Sequence, residues 1–159
     1  MIEISEFPNR VLLGLSRPFI AATQPNSNAA DVIGPLWQQM SKLFFSMELN
    51  RDPSPLGIGS MSVDKSGKEG SMTYFAGYEV HSVPEDLGGL GVLVLEPAKY
   101  AFITYEGPMS ELQRVITNFY SKLLPESGIE RREGLDLEIY LETYDPEPKT
   151  IVTIAAPVH

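Results

Sequence analysis

The residues best placed to do chemistry lie in the stretch Leu135 to Tyr144, LDLEIYLETY. Apolar and polar side chains alternate along it. Leu137, Ile139 and Leu141 point one way, and Asp136, Glu138, Tyr140 and Glu142 the other, which is the period of a strand with two unlike faces. With the leucine face on a core, Glu138 and Tyr140 share the opposite face. A solvated sheet face is the plain reading of such a pair. The chemical reading is a carboxylate in an aromatic pocket, selecting a positively charged, lipophilic ligand.

Few other residues compete for a role. Without cysteine, disulfides, thiolate metal sites and a Cys nucleophile are all excluded. His81 and His159 have no third partner at metal spacing, and they do not assemble a Ser-His-Asp arrangement. No metal or cofactor is expected. Gly88, Gly89 and Gly91 lack a Walker lysine and dinucleotide spacing, so they read as a flexible seam. The formal charge is −9. Such a field repels phosphate backbones, and Arg131 and Arg132 stand between Glu130 and Glu133 and form no basic patch. Direct nucleic-acid binding is not expected. The N-terminus MIEISEFPNR has no apolar signal region, and no apolar run is long enough to cross a bilayer. A cytoplasmic protein with no membrane role is the expectation.

The elements that must position the Glu and Tyr can be read from spacing. Val11 to Thr23 is apolar and extended, with Pro18 marking a bend or an edge. Asn28 is an N-cap candidate for a helix on which Val32, Ile33, Leu36, Trp37, Met40, Leu43, Phe44 and Met47 recur at steps of three and four. Leu56 to Asp64 is a strand weakened by Gly57 and Gly59. DKSGKEG is a hairpin loop, and Ser71 to Val80 returns with Met72, Tyr74, Ala76 and Tyr78 on one face. After the seam VPEDLGGLG come a strand from Val92 to Tyr105, a helix from about Met109 to Leu123, the opening strand, the turn YDPEPK and a final strand TIVTIAAPV.

Strand, helix, strand, strand therefore occurs twice. VIGPLWQQM, from Val32, aligns with VITNFYSKL, from Val115, which sets Trp37 against Tyr120. The fold class expected is α+β: a tandem βαββ repeat with pseudo-two-fold symmetry in one domain spanning residues 1–159. The units run from about 10 to 82 and from about 91 to 158. They form an antiparallel sheet with two long helices on one face. Glu138, Tyr140, Tyr74 and Tyr78 would line an open concavity on the other face, as a central ligand cleft. Trp37 and Phe102 complete the candidate walls, although each also sits where core packing would put an aromatic ring.

The segment from Glu96 to Tyr140 resembles the second half of the GyrI-like domains, the effector-binding domains of AraC-type and MerR-type multidrug-sensing transcription activators. The matching positions are Ala98, Lys99 and Tyr100; Gly107 and Pro108; Leu124 to Gly128; and Leu137, Glu138, Ile139 and Tyr140. YFAGYEV, from Tyr74, matches the first-half motif. The resemblance implies a pocket for amphipathic, cationic molecules built on a buried Glu, and Glu138 occupies that position. It also implies three possible uses. One is effector sensing or sequestration, with a protein partner or DNA-binding regulator needed to make a signal, because no helix-turn-helix precedes Val11. The second is hydrolysis of electrophilic cyclopropane compounds, with Glu138 as general base and Tyr78 or Tyr140 as proton donor. The third is an interaction module. Binding without turnover is the expectation. The oligomeric state is open.

Overall fold

In the computed structural model, residues 1–21, 24–63, 70–140 and 150–159 are described. Eight strands and two main helices follow one another as β1 (Glu3–Phe7), β2 (Arg10–Ile20), α1 (Ala29–Phe45), β3 (Gly57–Val63), β4 (Ser71–Glu79), β5 (Gly91–Leu95), β6 (Ala98–Gly107), α2 (Met109–Asn118), β7 (Asp136–Tyr140) and β8 (Thr150–Pro157). The helix α2 continues through a wider, π-helical stretch, Phe119–Leu123, into a last turn, Leu124–Glu126. Parts of the expected elements, including Leu141, Glu142, most of the DKSGKEG loop and the YDPEPK turn, lie outside the described residues.

Among the described residues all eight strands join one antiparallel sheet in the order β1-β6-β8-β7-β3-β4-β2-β5. The strand–helix–strand–strand order is present twice, as β2-α1-β3-β4 and β6-α2-β7-β8. The sheet is curled, and the chain itself shows why. β1 stands at one edge and β2 next to the other edge, yet only Pro8 and Asn9 separate them. Likewise only Glu96 and Pro97 separate β5, the far edge, from β6. Two residues span at most about 7 Å beyond the strand ends. Both links close only if the two edges of the sheet approach each other.

Curling gives the sheet two differently covered faces. On one, α1 packs Leu36, Met40 and Phe44 against Leu13, Tyr74 and Ala76. Beside it, α2 packs Leu112 and Phe119 against Ala101, Ile103, Val152 and Ile154. The other face closes on itself: Leu12, Ile58, Leu95, Tyr100, Leu137 and Ile139 form a separate apolar cluster with Phe7 and Phe102. At its mouth, near Arg10 and Glu96, remains a cavity of about 10 Å³, room for about one water molecule.

Several elements differ from their sequence reading. β1 was not expected; its alternation is short and its partner β6 is remote in the chain. The single strand expected from Val92 to Tyr105 is two, broken at Glu96 and Pro97. Pro97 has no amide hydrogen to continue a ladder. Asn28 does precede α1, but its carboxamide oxygen accepts from Ile20 N–H at 2.7 Å, and the Ala29 N–H is served by Ser27 Oγ at 3.3 Å.

Candidate functional site

The register fixes which side chains share a face. In β7, Glu138 lies opposite Gly59 of β3 and Ile154 of β8, and Tyr140 opposite Gly57 and Val152. In β4, Tyr74 lies opposite Met61 and Tyr78 opposite Gly57. Glu138, Tyr140, Tyr74 and Tyr78 therefore share one face, and it is the face that carries both helices. The open concavity expected on the opposite face is a correction. That face is instead filled by Leu137, Ile139 and their neighbours as the sheet closes on itself. Phe102 belongs there too, packed on Phe7 with ring centroids 5.4 Å apart, so the sheet separates it from Glu138.

The site is the lane between the helices. α1 rests on β2 and β4, α2 on β6 and β8, and the central strands β3 and β7 run between them. On β3 this lane is floored by Gly57 and Gly59, which project nothing upward. The space is used by ring atoms. A Cβ on Gly59 would stand 1.9 Å from the Tyr74 hydroxyl oxygen and 3.2 Å from Glu138 Oε1; one on Gly57 would stand 3.2 Å from Tyr78 Cε1 and 3.5 Å from Trp37 Cη2. The glycines read as weak points of a strand are what admit the aromatic side chains to the carboxylate.

A hydrogen-bond chain ends on that carboxylate. Trp37 Nε1–H donates to the Tyr74 hydroxyl at 3.0 Å, Tyr74 donates to Glu138 Oε1 at 2.8 Å, and Tyr140 donates to the same oxygen at 3.4 Å. Tyr78 shares a 3.2 Å hydrogen bond with Ser41. Trp37 packs edge-on to Tyr78 and to Tyr140, with centroids 5.8 and 5.4 Å away. Five of the six candidate residues are thus brought together, and Phe102 is not.

Glu138 is 6% exposed and Tyr74 fully buried. Among the described residues no Lys, Arg or His makes an ion pair with Glu138. Burial pushes its carboxyl above the ordinary value of 4.5, against the two phenol hydrogen bonds, which favour the charged form. Burial likewise raises the Tyr74 and Tyr140 hydroxyls, with the neighbouring carboxylate adding to the shift. The phenols are fixed donors, and the carboxyl is the group whose charge is open to change.

A second polar group adjoins the first. Asp136, two residues before Glu138 on the same face, accepts from Arg131 Nη2, and the Arg131 guanidinium carbon lies 5.0 Å from the Tyr120 ring centroid. Tyr120 belongs to the π-helical stretch, and its hydroxyl reaches the Ala155 carbonyl at 3.5 Å. Neither Asp136, Arg131, Tyr120 nor Gly59 was singled out from the sequence for the site. The alignment of Trp37 with Tyr120 was the signal for Tyr120; for Gly59 it was the alternation of two glycines along one strand face.

Among the described residues no group of three or more His, Cys, Asp or Glu could hold a metal ion, and no helix is long and apolar enough to cross a membrane.

Known proteins share this architecture. The GyrI-like small molecule binding domain matches residues 2–159. The transcriptional regulator BrlR of Pseudomonas aeruginosa is 28% identical over 138 residues, covering 84% of this chain and 48% of that protein. The chain thus spans about half the length of the curated relative it matches. Among solved structures, SAV2435 bound to tetraphenylphosphonium superposes with a TM-score of 0.75 at 16% identity, over 100% of this chain and 94% of that one. An integron cassette protein from the mobile metagenome of Vibrio cholerae gives 0.69 at 19% identity, over 99% and 95%.

Proposed function

The chain belongs to the GyrI-like small molecule binding domains, and on that premise we propose that it binds a lipophilic organic cation at Glu138, among the rings of Trp37, Tyr74, Tyr78 and Tyr140. The observation that carries the reading is a carboxyl only 6% exposed, held by two phenols and given no cation of its own among the described residues. Ionising such a group is costly. A bound cation removes that cost, while each aromatic face adds about 0.5–2 kcal/mol of cation–π attraction. A neutral molecule of the same shape leaves the carboxyl protonated or unpaired. Charge selectivity then follows without a steric filter.

Trp37 occupies the ground between Tyr78 and Tyr140. A ligand's aryl groups would take that ground, so binding displaces the indole. A structural neighbour is bound to tetraphenylphosphonium, a bulky aromatic cation and therefore a suitable first probe. Titration is followed by Trp37 fluorescence, the chain having one tryptophan. Saturable binding is expected, and Glu138→Gln should weaken the cation at least tenfold while leaving a neutral triaryl analogue unaffected. Equal affinities in both proteins would remove Glu138 from recognition. The match to a transcriptional regulator supports a sensing role.

The same atoms support an enzymatic reading. Glu138 would take a proton from water attacking an electrophilic cyclopropane, and Tyr140, 3.4 Å from Oε1, would donate one to the opened product. Product analysis after incubation with such a compound decides it: turnover no faster than the uncatalysed rate ends this reading.

A further inference from the structure

We propose that Phe44, Phe45 and Tyr78 form an outer cation station, filled by Arg51 in the free protein, through which a lipophilic organic cation passes on its way to Glu138. The inference rests on the cation-binding reading above and supplies what that reading lacks, a way in. A carboxyl only 6% exposed is not met directly from solvent.

A row of ring contacts leads to it. Trp37, Ser41 and Phe45 recur at steps of four on α1 and so share one side of the helix. Phe45 lies at the end of α1, about 12 Å along the axis from Trp37. Its ring centroid is 5.1 Å from that of Tyr78, Tyr78 is 5.8 Å from Trp37, and Trp37 is 5.4 Å from Tyr140, whose hydroxyl reaches Glu138. Exposure falls along the row. Phe45 is 45% exposed, Tyr78, Trp37 and Tyr140 are half-buried, and Glu138 is buried. Between Phe45 and Trp37 the row is crossed by the 3.2 Å hydrogen bond of Ser41 with Tyr78, which an entering ligand would have to part.

The outer end already holds a cation. The Arg51 guanidinium carbon lies 5.1 Å from the Phe45 ring centroid and 5.6 Å from that of Phe44, within cation–π range. The carbonyl end of α1 also favours positive charge there. Arg51 is held lightly. Its Nη1 donates to the carbonyls of Asp52 and Pro53 at 3.0 and 3.3 Å, and among the described residues it forms no ion pair. Its backbone is pinned instead. The His81 N–H donates to the Asn50 carbonyl at 2.7 Å, and His81 Nε2 meets Asp52 Oδ1 at 3.0 Å. The side chain can therefore swing off while the loop stays in place. One ring face serves one cation at a time, so a ligand entering here displaces Arg51.

The test is stopped-flow binding of tetraphenylphosphonium, followed by Trp37 fluorescence. Arg51→Gln removes the stand-in. It should raise the association and dissociation rate constants alike, about threefold or more, and leave Kd within about twofold. Lys42→Gln, an exposed site in the last turn of α1 with the same change of charge, controls for long-range attraction and should accelerate less. Once Phe45 is alanine, Arg51→Gln should lose more than half of its accelerating effect, because the ring it covers is gone. Three results would each overturn the route: no acceleration beyond that of Lys42→Gln, an acceleration that survives Phe45→Ala, or a change carried by dissociation alone. Phe45 and Arg51 lie at the surface, so these variants keep the fold. Glu138→Gln is run alongside with a neutral triaryl analogue. If it leaves the preference for cation over analogue intact, the cation-binding reading has failed and takes the route with it. Failure of the Arg51 series in a chain that still selects cations through Glu138 overturns the route alone.

Discussion

Gly59→Ala exposes the architecture of the site most sharply, because propensity and packing predict opposite signs. In a strand interior alanine is favoured over glycine by about 0.5–1 kcal/mol. Here the new methyl would stand 1.9 Å from the Tyr74 hydroxyl oxygen and 2.5 Å from its Cζ. Tyr74 is fully buried, so its ring must push against packed neighbours to make room. Overpacking of this kind costs about 1–3 kcal/mol. Moving the phenol also breaks its 2.8 Å bond to Glu138 and its 3.0 Å bond from Trp37. Leaving buried partners unsatisfied costs roughly a further 1–3 kcal/mol. The overlap outweighs the propensity gain, and the net loss should be about 2–5 kcal/mol. For a chain of this size that lowers Tm by roughly 5–15 °C. Urea denaturation gives the free energy, and a double-mutant cycle with Tyr74→Leu gives the cause. If the clash is responsible, the double variant loses at least about 1 kcal/mol less than the two single losses added together. Strict additivity, or a stabilised Gly59→Ala, would refute the account of the glycine lane.

Glu138 should give the fold a signature in pH. Its folded carboxyl titrates above 4.5 because of burial, so the folded state keeps a proton that the unfolded chain releases. Stability is then highest below the unfolded value and falls as pH rises towards the folded one. Glu138→Gln should flatten that fall and at neutral pH be as stable as the native chain or more so, measured by urea denaturation from pH 4 to 8. Trp37→Phe should lose the hydrogen bond to Tyr74 for about 0.5–1.5 kcal/mol, read as a lower urea midpoint. Phe7→Ala should cost roughly 2–3 kcal/mol, since that ring stacks on Tyr100 at 5.0 Å and contacts Phe102, joining β1 to β6. Thermal unfolding checks it, and an unchanged Tm would contradict the closure of the curled sheet.

What could be read from the sequence was direction, and what could not was coverage. The period of two along Leu137, Glu138, Ile139 and Tyr140 placed Glu and Tyr on one face correctly. It did not say which face the helices cover, because both are buried in β7: Leu137 is 2% exposed and Glu138 6%. A strand covered on both sides loses the contrast between inside and outside on which such readings depend. Both helices were legible because their apolar stripes repeat at three and four. The π-helical stretch at Phe119–Leu123 was not, since one widened turn hardly alters that spacing. β1 was missed because EISEF is short and charged and its partner, β6, begins some ninety residues on. The curl of the sheet hung on two links, Pro8 with Asn9 and Glu96 with Pro97. Their brevity acquires meaning only once the strand order is known.

The most direct test of the central claim is the position of a bound cation. Crystals soaked with or grown in tetraphenylarsonium carry their own label, since arsenic scatters anomalously. The account predicts an arsenic peak within about 6 Å of the Glu138 carboxylate and of at least two surrounding rings, the range of cation–π contact, with the Trp37 indole displaced. An arsenic site elsewhere, with the phenols of Tyr74 and Tyr140 still closed on Glu138, would contradict it.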